Sequence, residues 1–316
     1  MSAGLKAFQP KEFAMRLSFR ETTMLRVCAL IVTAFLLLPN HRACAAGFTP
    51  TRITVTVEGQ GPDVVLIPGL ASSAHVWDNE AAKLKAHYRL HSIQVAGFAG
   101  APAGPNASGP IIQPTVDEID AYIRSAHLNR PAVIGHSLGG LMGLMLAKEH
   151  PEDVGKLMIV DSLPWYGMLM GPSATLATVG PIAGGMRDKI LAGTQDSYAA
   201  NEPVIMTHLV ESKGPAAQAA TAAAEASDHT VVARAMYEDF MTDLRPDLAS
   251  IRTPIVMLYP WDAATGAPQA TFDGLYQGAY APLPNKKIVR IDGSFHFIQI
   301  DQPEAFDREV QAFLKT

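Results

Sequence analysis

From residue 53 onward the chain alternates short, continuous apolar runs with longer amphipathic stretches. Ile53 to Val57 alternates apolar and polar positions, the period of a strand with one wet face. Val64-Val65-Leu66-Ile67 is a continuous run closed by Pro68-Gly69, and similar runs are Leu90 to Val95, Ala132 to Ile134, Leu157 to Val160, Ile255 to Tyr259 and Ile288 to Ile291. Runs of this kind, bounded by Gly and Pro, predict strands buried on both faces, and therefore a mostly parallel sheet covered by helices. Helix signals lie between them. Thr115 and Glu118 have the spacing of a capping box, with Ile119, Tyr122 and Ile123 as the apolar stripe behind it. Near the end, Pro303 suits a first helical position, and Phe306, Val310, Phe313 and Leu314 line one face. The pattern predicts an α/β domain.

One stretch breaks the alternation. From Leu163 to Ser250 no convincing strand occurs, and the composition shifts to Ala, Met, Gly and Thr. It holds Met168, Met170, Met186, Met206, Met236 and Met241, six of the ten methionines that follow residue 46. The expectation is a helical cap over residues 163–250, inserted between core segments 47–162 and 251–316. Met fills irregular core gaps and also lines adaptable pockets, so both readings stand. Trp165, Tyr166, Tyr237 and Phe240 are candidates for an apolar lining.

The first 46 residues follow a different logic. Arg16, Arg20 and Arg26 precede the apolar run Val27 to Leu38, and Ala43-Cys44-Ala45-Ala46 follows it. That basic, apolar, small-residue order is the order of a secretory signal peptide, and the run is short of the ~20 residues a membrane-spanning helix needs. The competing reading is an uncleaved anchor. A leader of residues 1–46 predicts a periplasmic or secreted protein. It removes six basic and two acidic residues, so the charge goes from −5 to −9, and both Cys leave with it. Neither value supplies the basic face that nucleic acid requires. With only 2 Cys, a disulfide framework and a four-thiolate zinc site are excluded.

The candidate chemistry is concentrated at Gly135-His136-Ser137-Leu138-Gly139-Gly140, between the strand Ala132 to Ile134 and a helix through Leu141, Leu144, Met145 and Leu146. Gly-x-Ser-x-Gly in a strand, sharp turn, helix context is a nucleophile elbow. It exposes Ser137 at the carboxyl edge of the sheet, above a helix N-terminus that favours developing negative charge. Together with Leu66-Ile67-Pro68-Gly69-Leu70, Gly97-Phe98 and Gly293-Ser294-Phe295-His296, the elbow resembles the α/β-hydrolase superfamily over nearly all of the chain from Ile53 onward.

That resemblance implies the order nucleophile, acid, base along the chain. Ser137 is then the nucleophile and His296 the general base. Asp262, three residues beyond the strand Ile255 to Tyr259, is the favoured acid, and Asp161, at the end of the strand Leu157 to Val160, is the competing one. The oxyanion hole would use the backbone N–H groups of Leu70 and Leu138. Such a site needs no cofactor or metal, and the implied substrate is a small carboxylic ester, apolar if the methionines line its pocket. A thioester or amide, haloperoxidase or carbon-carbon bond chemistry, and a non-catalytic binding role are the alternatives on the same fold. The Gly-rich stretch from Gly97 to Pro110 lacks a phosphate-loop ending and is expected to be a flexible loop beside the site mouth.

Overall fold

The computed structural model describes residues 48–316, so the leader expectation lies outside the described residues. Seven strands form one sheet: β1 (Ile53–Gly59), β2 (Asp63–Ile67), β3 (Arg89–Val95), β4 (Ala132–His136), β5 (Lys156–Val160), β6 (Ile255–Trp261) and β7 (Lys286–Asp292). Their spatial order is β1-β3-β2-β4-β5-β6-β7. β1 runs antiparallel to β3 at one edge and every other neighbouring pair is parallel. The alternating strand is thus the edge strand, and the continuous apolar runs are the interior, as double-sided burial requires.

Alternate residues of each strand feed two different cores. One face, with Val65, Ile67, Val133 and Ile159, packs on α2 (Ile112–Ser125) and α3 (Leu138–Glu149). The other, with Val64, Leu66, Ile134 and Val160, packs on α1 (Asp78–Leu84) and on the C-terminal helix. α3 is buried from Leu138 to Ala147, which explains why its sequence is apolar all round.

Between β5 and β6 the described chain contains α4 (Leu176–Leu191), α5 (Gln195–Met206), α6 (Pro215–Glu225) and α7 (His229–Met241), and no strand. α8 (Gln269–Ala279), α9 (Ile298–Asp301) and α10 (Pro303–Lys315) complete the fold. Within the inserted helices Trp165 is fully buried against Val179 and Phe240, and its Nε1 donates to the Phe240 carbonyl at 2.7 Å. No helix among the described residues is long and apolar enough to cross a membrane.

Two local expectations are corrected. α2 begins at Ile112, so Thr115 lies inside it and donates its hydroxyl to the Ile111 carbonyl at 2.7 Å rather than capping the helix. Glu118 instead accepts the backbone N–H groups of Thr51, Arg52 and Ile53. The N–H groups of Ile111 and Ile112 at the α2 start are taken by Glu238 of α7, a carboxylate at a helix N-terminus supplied from far along the chain. The Gly97 to Pro110 stretch is not a free loop. Asn106 is fully buried and donates to the Ala96 carbonyl, and Arg234 of α7 donates to the Asn106 and Ala107 carbonyls.

Candidate active site

In a parallel sheet the carboxyl ends of the strands open on one edge, where α/β folds place their sites. β2 ends just before Pro68-Gly69-Leu70, β4 before Ser137, β5 before Asp161, and β7 a few residues before His296. The topology therefore delivers four separate sequence segments to one place.

Ser137 adopts φ 53° and ψ −124°, a conformation rare for a residue with a side chain. Packing holds it there. A Cβ at Gly135 would lie 2.1 Å from the Gly139 carbonyl oxygen, and one at Gly139 would lie 2.3 Å from that of Ile67, so any larger residue would push the helix off the strand. The Ser137 N–H donates to the Val160 carbonyl at 2.9 Å. From residue 131 to 147 only Ser137 is not buried, and it lines the cavity described below.

His296 Nδ1 donates to Asp161 Oδ2 at 2.6 Å. Asp161 is buried, also has a positive φ, 44°, and receives the Tyr276 hydroxyl on its other oxygen. Burial and then the Asp161 charge push the Tyr276 hydroxyl well above its ordinary pKa, so it stays a donor. Asp262 is the residue the sequence favoured for this place, and the structure does not bring it there. β6 continues through Trp261, paired with Asp292, and carries Asp262 past the strand edge to the start of a short 3-10 turn. Its Oδ1 accepts the Ala264 N–H at 2.6 Å, an ordinary capping role.

The His296 loop is held from several sides. His136 Nε2 donates to the His296 carbonyl at 3.0 Å, and Asp301 accepts the Phe295 N–H at 2.9 Å. His136 is fully buried, and burial, then the neighbouring His296, drive its pKa well down, so it serves as a neutral donor. Its Nδ1, facing Gly69, has no partner among the described residues.

Ser137, His296, Gly69 and Leu70 line one cavity of about 590 Å³, roofed by the inserted helices. Among the described residues the Ser137 hydroxyl makes no hydrogen bond, and reach of this kind commonly closes only once substrate is bound. The Leu138 N–H is the first of α3 and has no intrahelical acceptor, and the Leu70 N–H is likewise unused by the described residues. Met170, Met186, Met206 and Met236 line the cavity, as do Tyr166 and Phe240. Trp165 and Tyr237, also expected there, do not: Trp165 is core, and Tyr237 packs under the Arg187 guanidinium.

Sequence reasoning missed two acidic lining residues, Asp239 of α7 and Glu202 of α5. Nothing in a strand or elbow pattern marks them, because their position depends on how the inserted helices fold back. Burial pushes the Asp239 carboxyl up to about 7 and also raises Glu202. Among the described residues one group of metal-ligand types sits elsewhere, Asp120, His150 and Asp153, but Arg124 is bonded into it, at 2.8 Å from Asp153 and 3.1 Å from Asp120. A guanidinium placed so fills the position a cation would need.

The alpha/beta hydrolase family profile matches residues 64–309. The chain belongs to that family. Among curated relatives, this α/β hydrolase is 36% identical over 101 residues to a putative carbamate hydrolase RutD of Yersinia enterocolitica, covering 32% of this chain and 36% of that one. It is also 36% identical over 118 residues to a pimeloyl-[acyl-carrier protein] methyl ester esterase of Aeromonas salmonicida, covering 36% and 44% of the two chains. These alignments span less than half the length of each relative. Among solved structures, the esterase EaEST of Exiguobacterium antarcticum superposes with a TM-score of 0.72 at 16% identity, over 84% of this chain and 96% of that one, a likeness of fold. The chain therefore has the α/β-hydrolase fold.

Proposed function

We propose that this hydrolase cleaves carboxylic esters through Ser137, His296 and Asp161. The observation that carries the reading is the 2.6 Å bond from His296 Nδ1 to Asp161, made beside a serine held at φ 53° on the same cavity wall. With Nδ1 committed to the carboxylate, Nε2 is the free face of the ring, the tautomer that can accept the Ser137 proton. Ser137 Oγ then attacks the ester carbonyl, and its proton passes to His296 Nε2 and on to the departing alcohol. Water, deprotonated by the same nitrogen, cleaves the acyl-enzyme. The developing oxyanion is placed to meet the N–H groups of Leu70 and Leu138, donors typically worth 10² to 10³ in rate, about 3 to 4 kcal/mol each. Asp161 holds the ring and stabilises its charged form without itself taking the proton.

The apolar lining supports an apolar acyl group, and the basic, apolar, small-residue order of residues 1–46 supports an exported enzyme. Labelling with a fluorophosphonate tests the nucleophile: wild type should be labelled and Ser137→Ala should not. Labelling of the variant, or none of wild type, would remove the assignment. A chain-length panel of chromogenic esters tests the acyl preference, and the N-terminal sequence of the mature protein tests export.

A further inference from the structure

We infer that the cavity recognises a substrate whose apolar body carries a cationic nitrogen, with Asp239 as the residue that contacts it. The inference rests on the ester-hydrolase reading above and narrows its substrate class. Asp239 stands on α7, is 8% exposed and lines the cavity shared with Ser137 and His296. Its carboxyl makes no side-chain hydrogen bond or ion pair among the described residues, whereas the equally buried Asp161 has two donors. Glu202, 7% exposed, lies on the lining contributed by α5, with Tyr198 beside it. The Tyr198 hydroxyl donates to the Ala224 carbonyl at 3.2 Å and, beside Glu202, offsets part of the rise that burial imposes on that carboxyl, so Asp239 is the acid left without a donor among the described residues.

The lining contains no Lys or Arg, and its only basic groups are the two histidines, one neutral and one engaged with Asp161. The rest is mostly methionine, aliphatic and aromatic surface. Two acids set in such a wall disfavour any substrate bearing a carboxylate or phosphate, because like charges in a poorly screened volume repel strongly. A carboxylate without a partner is also expensive to keep in an apolar wall, and an aliphatic side chain of similar volume would close it at less cost. A bound ammonium group removes both objections. It supplies the missing donor and favours the ionised form of a group that burial pushes toward the neutral acid. Asp239 lines the same cavity as Ser137 and His296, which places that contact on the wall of the reacting centre.

The test uses methyl esters of matched length in three series: alkanoates, ω-amino acids from β-alanine to ε-aminocaproate, and dicarboxylic half-esters. Wild type is expected to favour the best amino ester over the half-ester of equal length by more than about tenfold in kcat/KM, and Asp239→Asn to lower the ratio of amino ester to alkanoate by about tenfold. A half-ester turned over as well as its amino counterpart, or an unchanged ratio in the variant, overturns the inference while leaving ester hydrolysis intact. If no methyl ester of any series is cleaved, the hydrolase reading of the substrate fails instead. Calorimetry of the Ser137→Ala protein then still decides the inference: n-hexylammonium should bind more tightly than hexanoate, and equal or weaker binding overturns it.

Discussion

Asp161 and His296 are 135 residues apart in the chain, yet their side chains meet at 2.6 Å, with the Tyr276 hydroxyl closing the far side of the carboxylate. The pair is assembled by strand order. β5 lies directly beside β4, so the residue after β5 emerges next to the serine that follows β4. β6 is one strand further away and longer, and Asp262 rides out to a surface turn.

Exchanging each carboxylate for its amide separates the two aspartates. Asp161→Asn is expected to lower kcat by about 10³- to 10⁴-fold, because an amide in that position no longer stabilises the imidazolium or selects its tautomer. Asp262→Asn keeps an oxygen for the Ala264 N–H and should stay within about threefold of wild type. Steady-state kinetics on one ester with both proteins checks the assignment, and the reverse order of effects would return the acid to Asp262.

Removing the Tyr276 hydroxyl leaves an oxygen of a buried carboxylate without its donor. The ring itself stays packed, since it stacks on Tyr259 with centroids 4.7 Å apart, so Tyr276→Phe isolates the hydrogen bond. A loss of about 1 to 3 kcal/mol in unfolding free energy is expected, together with reduced kcat as Asp161 gains freedom. Chemical denaturation followed by kinetics on the same sample would show both. A variant as stable and active as wild type would mean that the hydroxyl contributes nothing there.

Six strands were legible as continuous apolar runs between Gly and Pro and the edge strand as an alternating one, and the elbow was legible because Gly135, Ser137 and Gly139 must be that close in sequence to make one turn. His296 was legible through its place after the last strand. Its carboxylate partner was not, since Asp161 and Asp262 both follow strands and the choice depends on where β6 ends, a boundary set by its pairing with β7. The capping box was misplaced for a related reason. Thr115 and Glu118 have the right spacing, but Glu238 from α7 had already satisfied the helix start three residues earlier. Contacts that join distant segments, such as Glu238 to α2 or Asp239 to the cavity, leave no local periodicity to read.

His136 precedes Ser137 in the chain but contacts His296. Its Nε2 donates to the His296 backbone and its ring lies 4.6 Å from the His296 ring, centre to centre, so it sets the height of that loop above the serine. His136→Phe keeps most of the volume and loses the donor, and kcat should fall by about tenfold with KM little altered. His136→Gln, which can still donate from its side-chain amide, should recover part of that loss. Equal activity in wild type and the Phe variant would leave His136 a packing residue only.

Glu80 of α1 places a titratable group in the apolar layer between the sheet and α10, 4% exposed, with one oxygen lacking a hydrogen-bond partner among the described residues. Burial, and secondarily the Asp307 carboxylate, push its pKa from 4.5 up to about 7. The native state therefore holds a proton that the unfolded chain releases in that interval, and stability falls as pH rises from about 4.5 to about 7. Above that window the full penalty of ionising a buried acid is present, and below it the penalty is absent. Glu80→Gln carries no charge at any of these values and its amide can donate to Asp307. It is expected to raise unfolding free energy by about 1 to 3 kcal/mol at pH 8, and by nearly nothing at pH 4, on the scale of about 1.4 kcal/mol per pKa unit. Thermal unfolding of both proteins across that range measures the difference directly. A gain that is constant with pH would show that the substitution acts through packing, and a loss at pH 8 would show that the Glu80 carboxylate is a stabilising partner.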